Sequence, residues 1–395
     1  MVRLFLKSLS LAASFSVAVL GAGIALPLRF FRKTLSSRFN SLWAGTPILT
    51  LPLKAQAELM LGVNAKSLVY ESYGIAKGDF DIHLGRWIRI PIVGRLVPLF
   101  VFIYAVVTQD RLHFFCDRGL LPTHKPYQVN WFELAAYRFL GIQLFFWVYG
   151  ADVRTRVTTL QLGEPNCCTY CPEIGFACTC TKERASDNYK TIARYATAVF
   201  SMGDMIHYTP GSRNDVFFWP IDLAAQNGTK YSPAYPDING LKPIKIVHAA
   251  NHRAFKGSDL LVRAVAELQK EGLVIELVLV EKLPNELALV LYKSADIIFD
   301  QCLIGFHGYF ALEGMALGKP VMSFVRFPQE YLLAPNECPI VNSSISTLKH
   351  DIAELCRDRD RLHNLGIRGR QYIEKYYTLD AVSQRFAKAY KELGV

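Results

Sequence analysis

At 395 residues the chain exceeds the length over which a single hydrophobic core keeps growing, so two domains are expected. Hydrophobic residues make up 51% and charged residues 20%, a balance that excludes an intrinsically disordered chain. A formal charge of +10 and a pI near 9.1 point to anionic partners, either phosphorylated substrates or acidic lipid surfaces. Without a short basic block or an RNA-type aromatic signature, nucleic acid ranks last and is not expected as a partner.

No charged residue occurs from Leu9 to Leu28, and a run of about 20 such residues is enough for a helix to span a bilayer. Arg3 and Lys7 precede it, while Arg29, Arg32, Lys33 and Arg38 follow. The heavier positive flank on the C-terminal side would leave the rest of the chain in the cytoplasm, so residues 1–35 read as a membrane-anchor or interfacial helix. A cleaved signal peptide fits less well, since Ala-x-Ala spacing is poor and basic residues follow at once. A core helix is the plain alternative.

Phe39 to Trp43 reads as a first strand, followed by the turn Ala44-Gly45-Thr46-Pro47 and a helix reaching about Gly62. Ser67 to Glu71 and Leu112 to Cys116 read as further strands. The apolar stretch Leu96 to Val107 contains Pro98 and is too short to span, so it reads as a buried helix or an interfacial contact. A helix from about Asn130 to Gly141 feeds a strand from Ile142 to Tyr149.

Between Cys167 and Cys180 lie five of the nine cysteines, in the run NCCTYCPEIGFACTC. Cys168 and Cys171 have C-x2-C spacing, and Cys178 and Cys180 form a second close pair. Four thiolates on such a loop (164–182) suit a closed tetrahedral zinc site that would staple it. Disulfides in an oxidising compartment, unliganded thiols and an iron–sulfur site are the alternatives.

The C-terminal half alternates more cleanly. Lys245 to Ala249, Val274 to Val280, Asp296 to Asp300 and Pro320 to Val325 read as strands. Helices from Ser258, with its hydroxyl as cap, from Pro284 to Ser294, and around Glu313 and Met315 separate them. Such alternation implies right-handed crossovers and a parallel sheet in each half. The expected class is therefore α/β, with two Rossmann-like domains facing across a cleft, at 36–220 and 221–378, and a C-terminal helix at 379–395.

Ligands of open α/β sheets bind beyond the carboxyl ends of the strands. Three segments qualify. In HAANHRAFKGSD, Arg253 and Lys256 stand before a helix N-terminus, where charge, dipole and free amides suit a diphosphate; a solvated basic loop is the plain alternative. In GFHGYFALEGMALGKPV, Gly308 allows close approach and Glu313 could accept two hydrogen bonds from a ribose diol, although a lone Glu on a helix is commonly a surface residue. In VYGADVRTR, Asp152, Arg154 and Arg156 would emerge at the cleft or would form an interdomain salt-bridge cluster; Asp117 and Arg118, with Gly119 after another strand end, are a similar candidate. Gly45, after the first strand, is a further close-approach position. His113 reads as a satisfied structural histidine.

Lys256-Gly257, Ala295-Asp296, Leu312-Glu313-Gly314-Met315-Ala316 and Gly318-Lys319-Pro320-Val321 together resemble the C-terminal domain of family-four retaining glycosyltransferases, which have the GT-B architecture. Trp219-Pro220-Ile221-Asp222 is similar to that family's interdomain hinge. The resemblance covers about residues 200 to 393 well and the first half loosely. It implies a nucleotide-diphosphate-sugar donor, a saccharide or lipid-linked acceptor, transfer with retention and no catalytic metal. Lys256 would neutralise the diphosphate and Glu313 would hold the ribose, with Arg253 a looser match and Gly308 and Gly45 nearby. The family often has two glutamates separated by seven residues, and Gly305 occupies the first position here. That departure leaves open a catalytically silent nucleotide-sugar-binding protein, and the cysteine cluster leaves open a zinc-stapled membrane adaptor.

Overall fold

The computed structural model describes residues 23, 26–34, 38–72, 80–123, 127–172, 174, 180, 182–240 and 242–395. Among the described residues eleven strands form two sheets, and every pairing between named strands is parallel. The first sheet contains β1 (Asn40–Ala44), β2 (Asn64–Val69), β3 (Ile82–His83), β4 (Arg111–Phe115), β5 (Gln143–Trp147) and β6 (Ala198–Phe200), in the order β3-β2-β1-β4-β5-β6. This is the doubly wound order of dinucleotide-type folds. The second contains β7 (Ile244–Ala249), β8 (Ile275–Val280), β9 (Ile297–Gln301), β10 (Val321–Ser323) and β11 (Val341–Asn342), ordered β11-β10-β9-β7-β8. Central strands such as LFFW of β5 and IIFDQ of β9 are buried along their length because helices cover both faces.

The strands β3, β6 and β11 had no counterpart among the sequence expectations. Two or three residues carry too little periodicity to be read, and pairing with a neighbouring strand defines them.

The first domain's core is aromatic. Trp43 stacks on His113 at 3.8 Å, and Trp147 stacks on Phe200 at 4.2 Å. Beneath them Glu58 is fully buried, accepting from Arg111 at 2.7 Å, Ser41 at 2.6 Å and Trp43 at 2.7 Å. His113 lies within this network: Trp147 donates to its Nδ1 at 2.9 Å, which leaves the Nε2 proton for Ser41 and Glu58.

Two chain crossings join the domains side by side. Ile221 and Thr378 form a parallel bridge, with the Ile221 amide donating to the Tyr377 carbonyl at 2.6 Å. The last helix, Leu379–Leu393, then returns to the first domain. There Phe386 meets Trp147, and Arg385 donates to the carbonyls of Val216 and Phe217.

The membrane-spanning expectation is not supported. Among the described residues no helix is long and apolar enough to cross a membrane. Most of the Leu9–Leu28 run lies outside the described residues. The basic flank is also engaged within the protein: residues 26–34 are helical, Arg29 donates to the carbonyls of Val106 and Gln109, and Arg29, Arg32 and Lys33 lie 3.6, 2.7 and 3.9 Å from Asp110.

The zinc expectation likewise lacks support. Cys178 lies outside the described residues, and among those described no group of three or more His, Cys, Asp or Glu could hold a metal ion. Cys167 and Cys168 are instead buried in the second domain's hydrophobic cluster, whereas Cys180 bridges to Thr155.

Candidate functional site at the two switch points

In the second sheet the chain order reverses between β7 and β9, and the carboxyl ends of these strands are where ligands of open α/β sheets bind. Asp300, at the end of β9, is fully buried. Its Oδ1 accepts from the Lys256 ammonium at 2.6 Å; its Oδ2 accepts from the Gly308 amide at 2.6 Å and the Ser323 hydroxyl at 3.1 Å. Burial would push the Asp300 carboxyl up, but Lys256 and the Gly308 amide hold it below the usual carboxylate value. A Cβ on Gly308 would stand 3.2 Å from Asp300 and 3.6 Å from Lys256, so any side chain there would intrude on the cluster.

Two glycines shape the backbone around this switch point. Gly257, at φ +77°, separates the short helix Arg253–Lys256 from Ser258–Lys270, and a Cβ there would lie 2.4 Å from the Cys302 sulfur. Ser258 does not cap the helix; its hydroxyl is 2.7 Å from His248 Nε2, whose Nδ1 donates to the Phe299 carbonyl at 2.8 Å. Gly305, at φ +94°, lies against Arg326, 3.4 Å from a built Cβ to Nε. The position of the family's first glutamate thus has a backbone that disfavours any side chain, with a guanidinium alongside.

Lys256 therefore reaches the cluster, whereas Arg253 does not. Arg253 is paired on the outside of the turn with Asp259 at 2.8 Å and Glu281 at 2.9 Å. Glu313, on the helix Tyr309–Ala316, is buried rather than displayed on a surface. Its Oε1 accepts from Asn285 at 2.9 Å and Tyr231 at 3.2 Å, and burial pushes its carboxyl up against those bonds.

The first sheet's switch point lies between β1 and β4. Gly45 packs against Arg118, and Asp117 Oδ2 accepts from Thr46, from Arg118 at 3.3 Å and from Tyr149 at 3.4 Å. Asp152 does not emerge at the cleft. It is buried and clasps the strand ends, accepting from the amides of Cys116, Tyr149 and Gly150 at 3.1, 3.1 and 2.9 Å. Burial and neighbouring Asp117 push its carboxyl up to about 7. Arg154 is buried as well, paired with Asp204 at 2.5 Å.

Three groups escaped the sequence reading. Lys54 is fully buried, with Nζ 4.7 Å from the Phe218 ring centre and 4.9 Å from that of Phe115. Among the described residues that Nζ has no hydrogen-bond partner, and burial pushes it down to about 7 against the pull of Asp152. Its signal was available: Leu51, Lys54, Ala55 and Glu58 share one helical face, so the apolar face carries two charges. His307 is buried beside Gly308, its Nε2 without a partner among the described residues, and burial pushes its ring down. Arg326 ties the domains, donating to the carbonyls of Leu162 at 3.1 Å and Pro165 at 2.6 Å.

No protein-family model matches the chain, and no curated protein matches it. Among solved structures it is similar to a glycosyltransferase from Rickettsia africae, at 12% identity and a TM-score of 0.55, over 91% of this chain and 99% of that one. A UDP-GlcNAc 2-epimerase from Neisseria meningitidis bound to UDP-GlcNAc is similar at 12% identity and a TM-score of 0.48, over 90% of this chain and 100% of that one. The glycosyltransferase SnogD from Streptomyces nogalater follows at 14% identity and 0.41, over 89% and 100%. The last two likenesses are too loose to argue from, and at such identities the first speaks to fold alone. Two parallel-sheet α/β domains, consistent with the GT-B architecture, are what the likeness to the Rickettsia africae structure supports.

Proposed function

We propose that the chain transfers a sugar from a nucleoside-diphosphate sugar to a saccharide or lipid-linked acceptor, with retention at the anomeric carbon. The bond from that carbon to the diphosphate breaks, the acceptor oxygen bonds in its place and loses its proton, and the nucleoside diphosphate leaves. One observation carries the reading: a lysine and a glycine amide converge on one buried carboxylate at the switch point of a sheet in a two-domain fold of this kind. In this reading Lys256 turns from Asp300 toward the diphosphate and stabilises the leaving group. Gly308 leaves room for close approach, and Glu313 holds the ribose. Gly45, Asp117 and Arg118 border the acceptor side, and Arg253 contributes longer-range charge.

Thermal unfolding with a series of nucleoside diphosphates tests binding, and a nucleotide-sugar panel incubated with membrane extract and read by mass spectrometry tests turnover. One nucleoside diphosphate should raise the midpoint, and Lys256→Ala should remove both that shift and product formation. A panel giving neither shift nor product sinks the proposal. Gly305 favours a second reading, a nucleotide-sugar binder without turnover. A thermal shift with no product from any acceptor supports that alternative.

A further inference from the structure

The helix Val93–Thr108 is apolar around most of its circumference. Val97, Val101, Phe102, Ala105 and Val106 pack into the first domain, while Val93, Leu96, Phe100 and Tyr104 form a second stripe on the exposed side. The turn leading into it adds Trp87 and Ile92, 56% and 76% exposed. A surface of this kind is larger and more continuous than scattered exposed apolar residues require.

Charge identifies what covers it. From residue 82 to residue 109 the chain has no carboxylate, whereas Arg86, Arg89 and Arg95 are exposed there with no ion-pair partner among the described residues. A second copy of this face would set those guanidinium groups against an apolar surface that has no carboxylate. An anionic lipid surface takes the apolar stripe into its acyl boundary and the arginines at its headgroups. Trp87 and Tyr104 have the amphipathic rings suited to that depth. Chain connectivity agrees: the helix at 26–34, which ends the uncharged Leu9–Leu28 run, is tied to this helix's C-terminal end through Arg29 and the Val106 carbonyl, and exposes Phe30 and Phe31.

We infer that the Trp87–Tyr104 face is a monotopic docking surface for anionic phospholipid, holding the first domain against a membrane without spanning it. The inference does not rest on the nucleotide site. If the acceptor is lipid-linked, the surface would bring the first domain to it.

The test uses the full chain and vesicles of phosphatidylcholine with or without phosphatidylglycerol. Flotation should show the wild type partitioning at least tenfold more strongly onto anionic vesicles than the variant Ile92→Ser/Leu96→Ser/Phe100→Ser. The variant Arg86→Gln/Arg89→Gln/Arg95→Gln should lose the preference for anionic lipid. Vesicles with brominated acyl chains should quench the wild type more than Trp87→Phe, which reports Trp87 at the acyl boundary whatever the first 25 residues contribute. Equal quenching in these two proteins overturns the inference. So does a concentration-dependent dimer that the serine variant abolishes, since the face would then belong to a second copy. Nucleotide-induced thermal shifts should be the same in all variants, so failure of docking and failure of the transferase reading are told apart.

Discussion

Lys256 and Asp300 stand 2.6 Å apart, the carboxylate fully buried and the ammonium largely so. Removing one partner leaves the other charge uncompensated in a low-dielectric setting, which costs about 3–5 kcal/mol. Lys256→Met should therefore destabilise the protein strongly, and Lys256→Met/Asp300→Asn should recover most of that loss. Neither should regain a nucleotide-induced thermal shift. Denaturant titration of the three proteins, with and without nucleoside diphosphate, checks both statements. Recovery of the shift in the double variant would show that Lys256 does not contact the diphosphate.

Lys54 contributes a different pH signature. Burial lowers its ammonium from the ordinary 10.5 to about 7, so the folded protein binds that proton less readily than the unfolded chain. A group of this sign contributes most favourably above its unfolded value, and that contribution is lost as pH falls toward 7. Lys54→Met keeps the volume and removes the charge. It should stabilise the protein by on the order of 4 kcal/mol at pH 7, with the gain shrinking as pH approaches 10. Urea midpoints at pH 7 and pH 9.5 measure the difference, and a flat profile would refute the burial argument.

Two buried histidines act in the acid range. Burial pushes both His113 and His248 down to about 4 from an ordinary 6.5. Each is held neutral by folding, so stability is fully present above 6.5 and declines as pH falls through 4. Each histidine accounts for about 3 kcal/mol of that decline. His248→Gln should flatten part of the slope between pH 6.5 and 4, as read by unfolding midpoints at half-unit intervals. An unchanged slope would mean that His248 is protonated in the folded state.

Arg326 joins the domains through the carbonyls of Leu162 and Pro165. Hydrogen bonds from a charged donor are worth about 1.5–3 kcal/mol each. Arg326→Ala should lower the unfolding midpoint and speed proteolysis near 162–165 while leaving far-ultraviolet circular dichroism unchanged. Arg326→Lys should rescue only in part, because one ammonium cannot reproduce the fork of the guanidinium. Equal proteolysis rates would assign the tie no role in holding the domains.

Parallel sheets in both halves, most of the buried strands and the crossover helices of the second half were legible from local pattern. A strand such as Val274–Val280 is apolar but for the exposed Glu276 and is flanked by helix stops, so its state is settled by residues within a few positions of it. Lys256 and Glu313 were singled out by motif and strand-end position alone. The structure brings Lys256 to Asp300 and buries Glu313 beneath Tyr231 and Asn285, contacts that span 44, 82 and 28 residues. Arg253 illustrates the limit. Its place in the chain matches that of Lys256, yet its partners Asp259 and Glu281 draw it outward.

From the residues alone came the α/β class and the presence of two parallel-sheet domains, because helix and strand periods, caps and turns are local properties. Tertiary structure alone decided which charges meet. It put Lys54 under three aromatic rings, turned Asp152 into a clasp for strand ends and spent Arg29 and Arg32 on Asp110. The reason is physical: the free energy of a charge depends on its solvation and on neighbours distant along the chain, and neither exists until the sheets have closed.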